Sequence, residues 1–501
     1  MSPLSESHLL ALLSWIPLAL IALLRAREAA IAPISIVCAV WVAGTTVRIV
    51  YLGNVSVYRE LPPFADLERS IETGAWVLLG ASWLLVLGYV ARWAAPGAQG
   101  KLGSTVSSAQ LGGRSGEARR LVGTTPRIDR GKLVRLTAAS HSLGVLAIVG
   151  AIWLRFSGFP SLEELFVVAS TVRMFEMREN VVGNASAILA LCIPAEVVGY
   201  LWLWSLARRE RTSTAHFALA VFSVFVSVIL TIMSAVLTGS RLGVLKGVLG
   251  CTWAWILATK TKPLKAILIV AGALLVPAPV VYLQAELRDN AAEADIVWNR
   301  GAPTLVEALS DLAVKVAATG HFVAVERTGY IAEYVFSGWN TFPFAGSFAL
   351  GVLGLVPRLM FPDKPTIHEG NFVAEEIAGI YTGGGMPAGL VGGLLLNFGP
   401  FGLLGLVAYG WVIADLDGRA ARADRDRREF LIVTTFGFLA AFDLLQSGIS
   451  TVITEGIVRG VTLAVVQRQI RSHRSESWSG KVARSARSWK RTECTLAERG
   501  P

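Results

Sequence analysis

Charge is scarce in this chain. Of its 501 residues only 16% are Asp, Glu, Lys or Arg while 53% are hydrophobic, too little polar cover for a water-soluble globule. Cysteine is scarcer still. Cys38, Cys192 and Cys251 lie inside apolar runs and Cys494 in the C-terminal tail, an arrangement that offers neither a disulfide framework nor a thiolate metal site. No spaced His/Asp/Glu cluster suggests a metal, and no Gly-x-Gly-x-x-Gly or Walker-type sequence suggests a bound nucleotide, so no cofactor is expected. Basic and aromatic residues do not interleave on a soluble stretch, which excludes a nucleic-acid partner as the reason for the net charge of +10. The first apolar run lacks a basic leader and an Ala-x-Ala cleavage site, and is expected to be a retained span.

Long apolar runs are what the chain has instead. Crossing a hydrocarbon core of roughly 30 Å takes about 20 residues. Runs of that kind occur near 9–24, 29–47, 73–91, 136–154, 185–206, 216–237, 242–259, 266–284, 388–413, 430–447 and 449–467. The expected fold is therefore an all-α polytopic integral membrane protein with about eleven transmembrane helices. Lys and Arg concentrate in alternate connections: Arg25 and Arg27, the loop from Arg92 to Arg135, Arg208 to Arg211, Lys260 to Lys265, Arg419 to Arg428, and the tail after Arg468. Basic residues resist translocation, so these segments are expected in the cytoplasm, with the N-terminus outside and the C-terminus inside. Residues 1–284 form an N-terminal bundle of about eight spans with a basic loop at 93–135; 285–387 form one large extracytoplasmic loop; 388–467 return to the membrane; and 468–501 are a basic tail.

The long loop draws attention by its length alone, since connections of roughly a hundred residues are usually functional. It contains amphipathic stretches near 303–318 and 322–336, an apolar piece at 344–356, and then Pro357-Arg358-Leu359-Met360-Phe361-Pro362-Asp363-Lys364-Pro365. Three prolines deny this segment a helix. Arg358 and Lys364 are thereby displayed on stiff irregular backbone beside a bilayer, suited to gripping a lipid-linked diphosphate. His368, Glu369, Glu375 and Glu376 follow within a short distance and are candidates for a general base, His368 and Glu369 first among them. Asp363 is better placed to orient the turn than to react. His321, Glu326 and Arg327 are weaker candidates for the same cavity.

The segment running from Pro357 through His368-Glu369-Gly370-Asn371 to Leu396-Asn397-Phe398-Gly399 resembles the terminal signature of O-antigen and exopolysaccharide repeat-unit polymerases of the Wzy type. Thr238-Gly239-Ser240-Arg241 is similar to the Gly-Ser-Arg element of the same family. Some members carry Gly eleven positions after the loop arginine; here that position is Glu369, and Gly370 follows it. The resemblance implies a glycosyltransferase of the bacterial inner membrane that moves a growing glycan from undecaprenyl diphosphate onto a new lipid-linked repeat unit. Its partners would be the undecaprenyl-diphosphate-linked oligosaccharide, the bilayer, and flippase and chain-length regulator proteins. Such a transfer needs cations at the leaving diphosphate, for which Arg241, Arg358 and Lys364 are the candidates. An O-antigen ligase would use the same donor lipid. A lipid-linked sugar flippase is the alternative from another class, kept open by the ionisable groups Glu196, Asp443, Glu455 and Arg459 inside apolar runs.

Overall fold

The computed structural model describes residues 6–25, 31–47, 67–95, 130–156, 160–161, 164–165, 188–208, 213–238, 241–275, 277–289, 304, 306–307, 325–338, 346–356, 369–379 and 388–470. Among them the only regular structure is helix. In chain order these are α1 (Glu6–Leu13), α2 (Ile16–Arg25), α3 (Pro33–Val42), α4 (Leu67–Ala94), α5 (Arg130–Phe156), α6 (Ile193–Ala207), α7 (Thr214–Leu237), α8 (Arg241–Thr259), α9 (Pro263–Leu275) and α10 (Ala278–Asp289). Then come α11 (Val325–Gly338), α12 (Gly346–Leu353), α13 (Glu369–Phe372), α14 (Gly389–Phe398), α15 (Gly405–Ala423), α16 (Arg427–Phe438) and α17 (Ile449–Ile470).

Six helical stretches are long and apolar enough to cross a membrane: Glu68–Ala94, Gly131–Phe156, Ala190–Ala207, Thr214–Leu237, Gly389–Ala423 and Ile449–Ile470. Each coincides with an expected span. Four more expected spans appear as shorter apolar helices, Leu9–Arg25, Pro33–Thr45, Gly243–Thr259 and Pro263–Leu275. The first of these is broken between α1 and α2, and the last is cut off from α10 by Pro277. The remaining run, 430–447, is α16 followed by a π-helical turn at Leu439–Asp443 and a short turn to Gln446. Large apolar side chains project outward from several of these helices, including Trp83 and Leu87 of α4, Trp153 of α5, Phe222 and Phe225 of α7, and Ile267 and Leu268 of α9. Apolar surface of this extent on long helices suits lipid and not water.

Helix α4 is the axis of the bundle. On one side it meets α11, and small residues set the distance: a Cβ on Gly329 would lie 1.7 Å from the carbonyl oxygen of Ser70, and one on Gly74 would lie 2.0 Å from that of Val325. Only glycine permits so close a crossing. Helix α11, expected as an amphipathic stretch of the large extracytoplasmic loop, is thus packed on a span with Val325, Glu326, Arg327, Ile331 and Val335 buried. On its other side α4 lies against α15, and the two share a polar cap at one end. Tyr89 donates to Asp417 at 2.5 Å, Arg25 donates to Tyr89 at 3.0 Å, and the other Asp417 oxygen accepts from the backbone of Ile34 at 3.1 Å. Asp417 therefore caps α3, whose own N-cap residue, Ala32, has no side-chain acceptor.

Further cations gather at this same end. Arg92 and Arg419 both bind Asp415, at 2.9 and 2.7 Å; Arg419 also binds Glu429 at 2.9 Å; and Lys260 binds Asp424 at 3.0 Å. The ends of α2, α4, α8 and α15 thus form one basic end of the bundle, in agreement with the expectation that their basic connections share a side. The loop 96–129 and the tail 471–501 lie outside the described residues.

Candidate functional site

At the end of the bundle away from these cations, the chain between α16 and α17 departs from regular helix twice. A π-helical turn ends at Asp443, and Ser447 is extended, with φ −93° and ψ 171°, immediately before Gly448. Turns of this type inside membrane helices free backbone groups and tend to accompany function. Two polar clusters meet at this break.

The first is built on Glu369. It opens α13 and its side chain is 0% exposed. One carboxylate oxygen accepts a short hydrogen bond from the hydroxyl of Ser347 in α12. Asn397 of α14 closes the group: its carbonyl oxygen accepts from the Ser347 amide at 2.9 Å, and its amide nitrogen donates to the Ser347 hydroxyl at 2.9 Å and to Gly393 at 2.7 Å. The other Glu369 oxygen lies against Gly448, where a Cβ would come within 1.9 Å of it. Burial raises the Glu369 carboxyl to about 7, while the Ser347 hydroxyl and the backbone amides of Ile449 and Ser450 favour ionisation. Those amides belong to the first turn of α17, the positive end of a helix, so the break presents a helix N-terminus to a buried carboxylate.

The second cluster lies within the spans. Lys246 of α8 is 2.8 Å from Asp443 and 3.9 Å from Glu455 of α17. Arg459, one turn below Glu455, reaches across to Glu196 of α6 with both terminal nitrogens at 3.0 Å, and Tyr200 donates a short hydrogen bond to the same carboxylate. Glu455 and Arg459, one turn apart on α17, approach to 4.0 Å, but the bidentate bond to Glu196 is the stronger partnership. Three carboxylates thus share two cations in the apolar slab. The two clusters are adjacent along the chain: the Ser447 amide closes the last helical turn on the Asp443 carbonyl at 2.7 Å, and Gly448, against Glu369, follows directly.

Of the residues designated from the sequence, Glu369 is placed in full. It is helical and buried, not displayed on a loop. Arg241 begins α8, and Lys246 lies about 7.5 Å further along the axis at 1.5 Å per residue, so the helix start is at the same end of the bundle as the break. Glu376 is exposed and Glu375 half-buried in the π-helical turn Val373–Ile377. Arg358, Asp363, Lys364, His368 and His321 lie outside the described residues. Glu326 and Arg327 are buried in α11. Among the described residues no group of three His, Cys, Asp or Glu side chains could hold a metal ion.

Sequence reading missed Ser347 and Gly448, and included Asn397 in the signature without giving it a role. A lone Asn in the apolar run Gly389–Phe398 was the available signal for Asn397, since a buried amide in hydrocarbon must find partners. Nothing local marked Ser347 or Gly448. Compared with protein-family models, curated proteins and solved structures, the chain matches none.

Proposed function

We propose that this chain polymerises undecaprenyl-diphosphate-linked oligosaccharide repeat units by glycosyl transfer at the extracytoplasmic face of the bacterial inner membrane. The observation that carries the reading is the Glu369–Ser347–Asn397 group. Glu369 belongs to the His-Glu-Gly-Asn part of the polymerase-like signature and Asn397 to its Asn-Phe-Gly part, and a single serine hydroxyl and amide bridge them. A signature whose separate pieces interlock supports a folded functional unit more than a chance run of similar residues. Lys246, in the second turn of the helix that Arg241 begins, pairs with Asp443 just before the break, which supports a role for the start of α8 at the same end of the bundle.

In this reading the acceptor sugar hydroxyl attacks the anomeric carbon of the donor. The bond to the diphosphate breaks, the hydroxyl proton passes to a base, and the polyprenyl diphosphate leaves with its added charge. Arg241, Arg358 and Lys364 hold that charge. Glu369, fully buried, is assigned to positioning, and His368, its neighbour in the sequence, is assigned as the base ahead of Glu375 and Glu376. The basic end of the bundle is cytoplasmic by the positive-inside rule, which puts Glu369 and the start of α8 outside.

Arg358→Ala tests the proposal. Membranes are expected to hold the variant at normal abundance and to accumulate single lipid-linked repeat units; polymer of wild-type length and amount would overturn it. A second reading, a lipid-linked sugar flippase, draws support from the buried Lys246, Asp443, Glu455, Arg459 and Glu196 beside a broken helix, a combination that transporters use at their binding sites. It requires that repeat units lacking this protein stay on the cytoplasmic leaflet. A ligase of the same donor lipid would leave polymer intact and unattached.

A further inference from the structure

The basic end of the bundle contains a cavity of about 450 Å³ that glycosyl transfer at the opposite end does not use. Its walls come from three helix ends: Leu206 and Arg208 at the end of α6, Trp255, Thr259 and Lys260 at the end of α8, and Asp424 in the turn between α15 and α16. The Arg208 guanidinium lies 5.5 Å over the Trp204 ring, a contact that holds its position without neutralising it. Lys260 binds Asp424 at 3.0 Å, and Arg425 approaches the same carboxylate oxygen at 3.7 Å. Lys260 and Arg425 share the one Asp424 carboxylate and Arg208 adds a further cation to the wall, so the cavity and its rim carry more positive than negative charge.

Lys260 carries an independent mark. It has φ 49°, the sole positive value outside glycine among the described residues. The Thr261 amide closes back on the Ile256 carbonyl at 3.3 Å, which makes Lys260 the left-handed residue that terminates α8. Glycine occupies such positions without strain and lysine does not. The cap thus sets the Lys260 side chain at the rim of the cavity on backbone that glycine would occupy more readily.

We propose that this cavity seats the phosphate of an anionic bilayer phospholipid, with Arg208 and Lys260 contacting its oxygens and Trp255 at the level of the interface. Basic recesses between the ends of membrane helices suit this chemistry because they pair a fixed positive charge with an adjoining apolar slab. The proposal is independent of the transfer reaction.

The test uses the full-length protein in neutral detergent, titrated with short-chain phosphatidylglycerol, phosphatidylcholine or soluble glycerophosphate, and read by native mass spectrometry and thermal melting. Phosphatidylglycerol is expected to bind and to raise the melting temperature, ahead of phosphatidylcholine and glycerophosphate. Arg208→Gln and Lys260→Gly are each expected to weaken it about tenfold, the loss of one charge-assisted contact. Lys260→Gly guards against misfolding as the explanation, because glycine accepts the left-handed cap and the lipid-free melting temperature should hold. Unchanged binding in both variants overturns the proposal. Equal binding of phosphatidylcholine removes its charge selectivity, and equal binding of glycerophosphate shows a soluble phosphate site and not a lipid one; either result overturns it.

Discussion

Replacing Glu369 by Gln isolates the cost of a carboxyl held at the helix break. In the unfolded chain this group ionises near 4.5, and in the folded protein at about 7, with burial as the largest cause. The folded state therefore keeps its proton over an interval in which the unfolded state has lost it. Stability from this group is complete below about pH 4.5, declines as pH rises through 7, and is flat beyond; the total is about 3 kcal/mol. Glutamine has the same shape, stays neutral at every pH, and can still accept from Ser347. The assay is thermal unfolding of the full-length protein in detergent, wild type against Glu369→Gln, from pH 5 to pH 8. The two are expected to melt together near pH 5, with the variant increasingly more stable toward pH 8. A difference independent of pH, or a variant less stable than wild type at pH 8, would show that burial does not govern this carboxyl.

Other outcomes follow from single contacts. Gly329→Ala forces a methyl within 1.7 Å of the Ser70 carbonyl and should lower stability by about 1–3 kcal/mol or more, whereas Gly80→Ala on α4, with open space around its Cβ, should be neutral or slightly stabilising in the same melt. Arg459→Met strands Glu196 in the membrane and should cost about 3–5 kcal/mol, seen as lost monodispersity on size exclusion; adding Glu196→Gln should recover much of it. Gly448→Ala places a Cβ at 1.9 Å from the Glu369 carboxylate and is expected to abolish polymer formation with only a partial loss of protein, measured by glycan sizing against immunoblot.

Hydropathy located the six long spans because the length of an apolar run is a local property that the bilayer thickness translates directly into a helix. It also set the boundary between 430–447 and 449–467 where Ser447 is extended, but it read through the break at Pro277, which divides a single expected run. The packing of α11 on α4 was hidden because its cause is two glycines far apart in sequence, Gly74 and Gly329, each unremarkable alone. The intramembrane charges were visible one by one, but not their pairing: Arg459 prefers Glu196, 263 positions away, to its own helical neighbour Glu455. Glu369 was legible as a titratable group beside the Pro-rich segment. Its burial was not, because that depends on Ser347, Asn397 and the start of α17 closing around it.

The proposal that this chain joins lipid-linked repeat units on the outer side of the membrane is tested most directly by sizing the lipid-linked glycans of a deletion strain and assigning their leaflet. Single repeat units are expected to accumulate on the extracytoplasmic leaflet, with polymer restored by the wild-type chain and not by Arg358→Ala. Units confined to the cytoplasmic leaflet, or polymer made normally without the protein, would overturn the proposal.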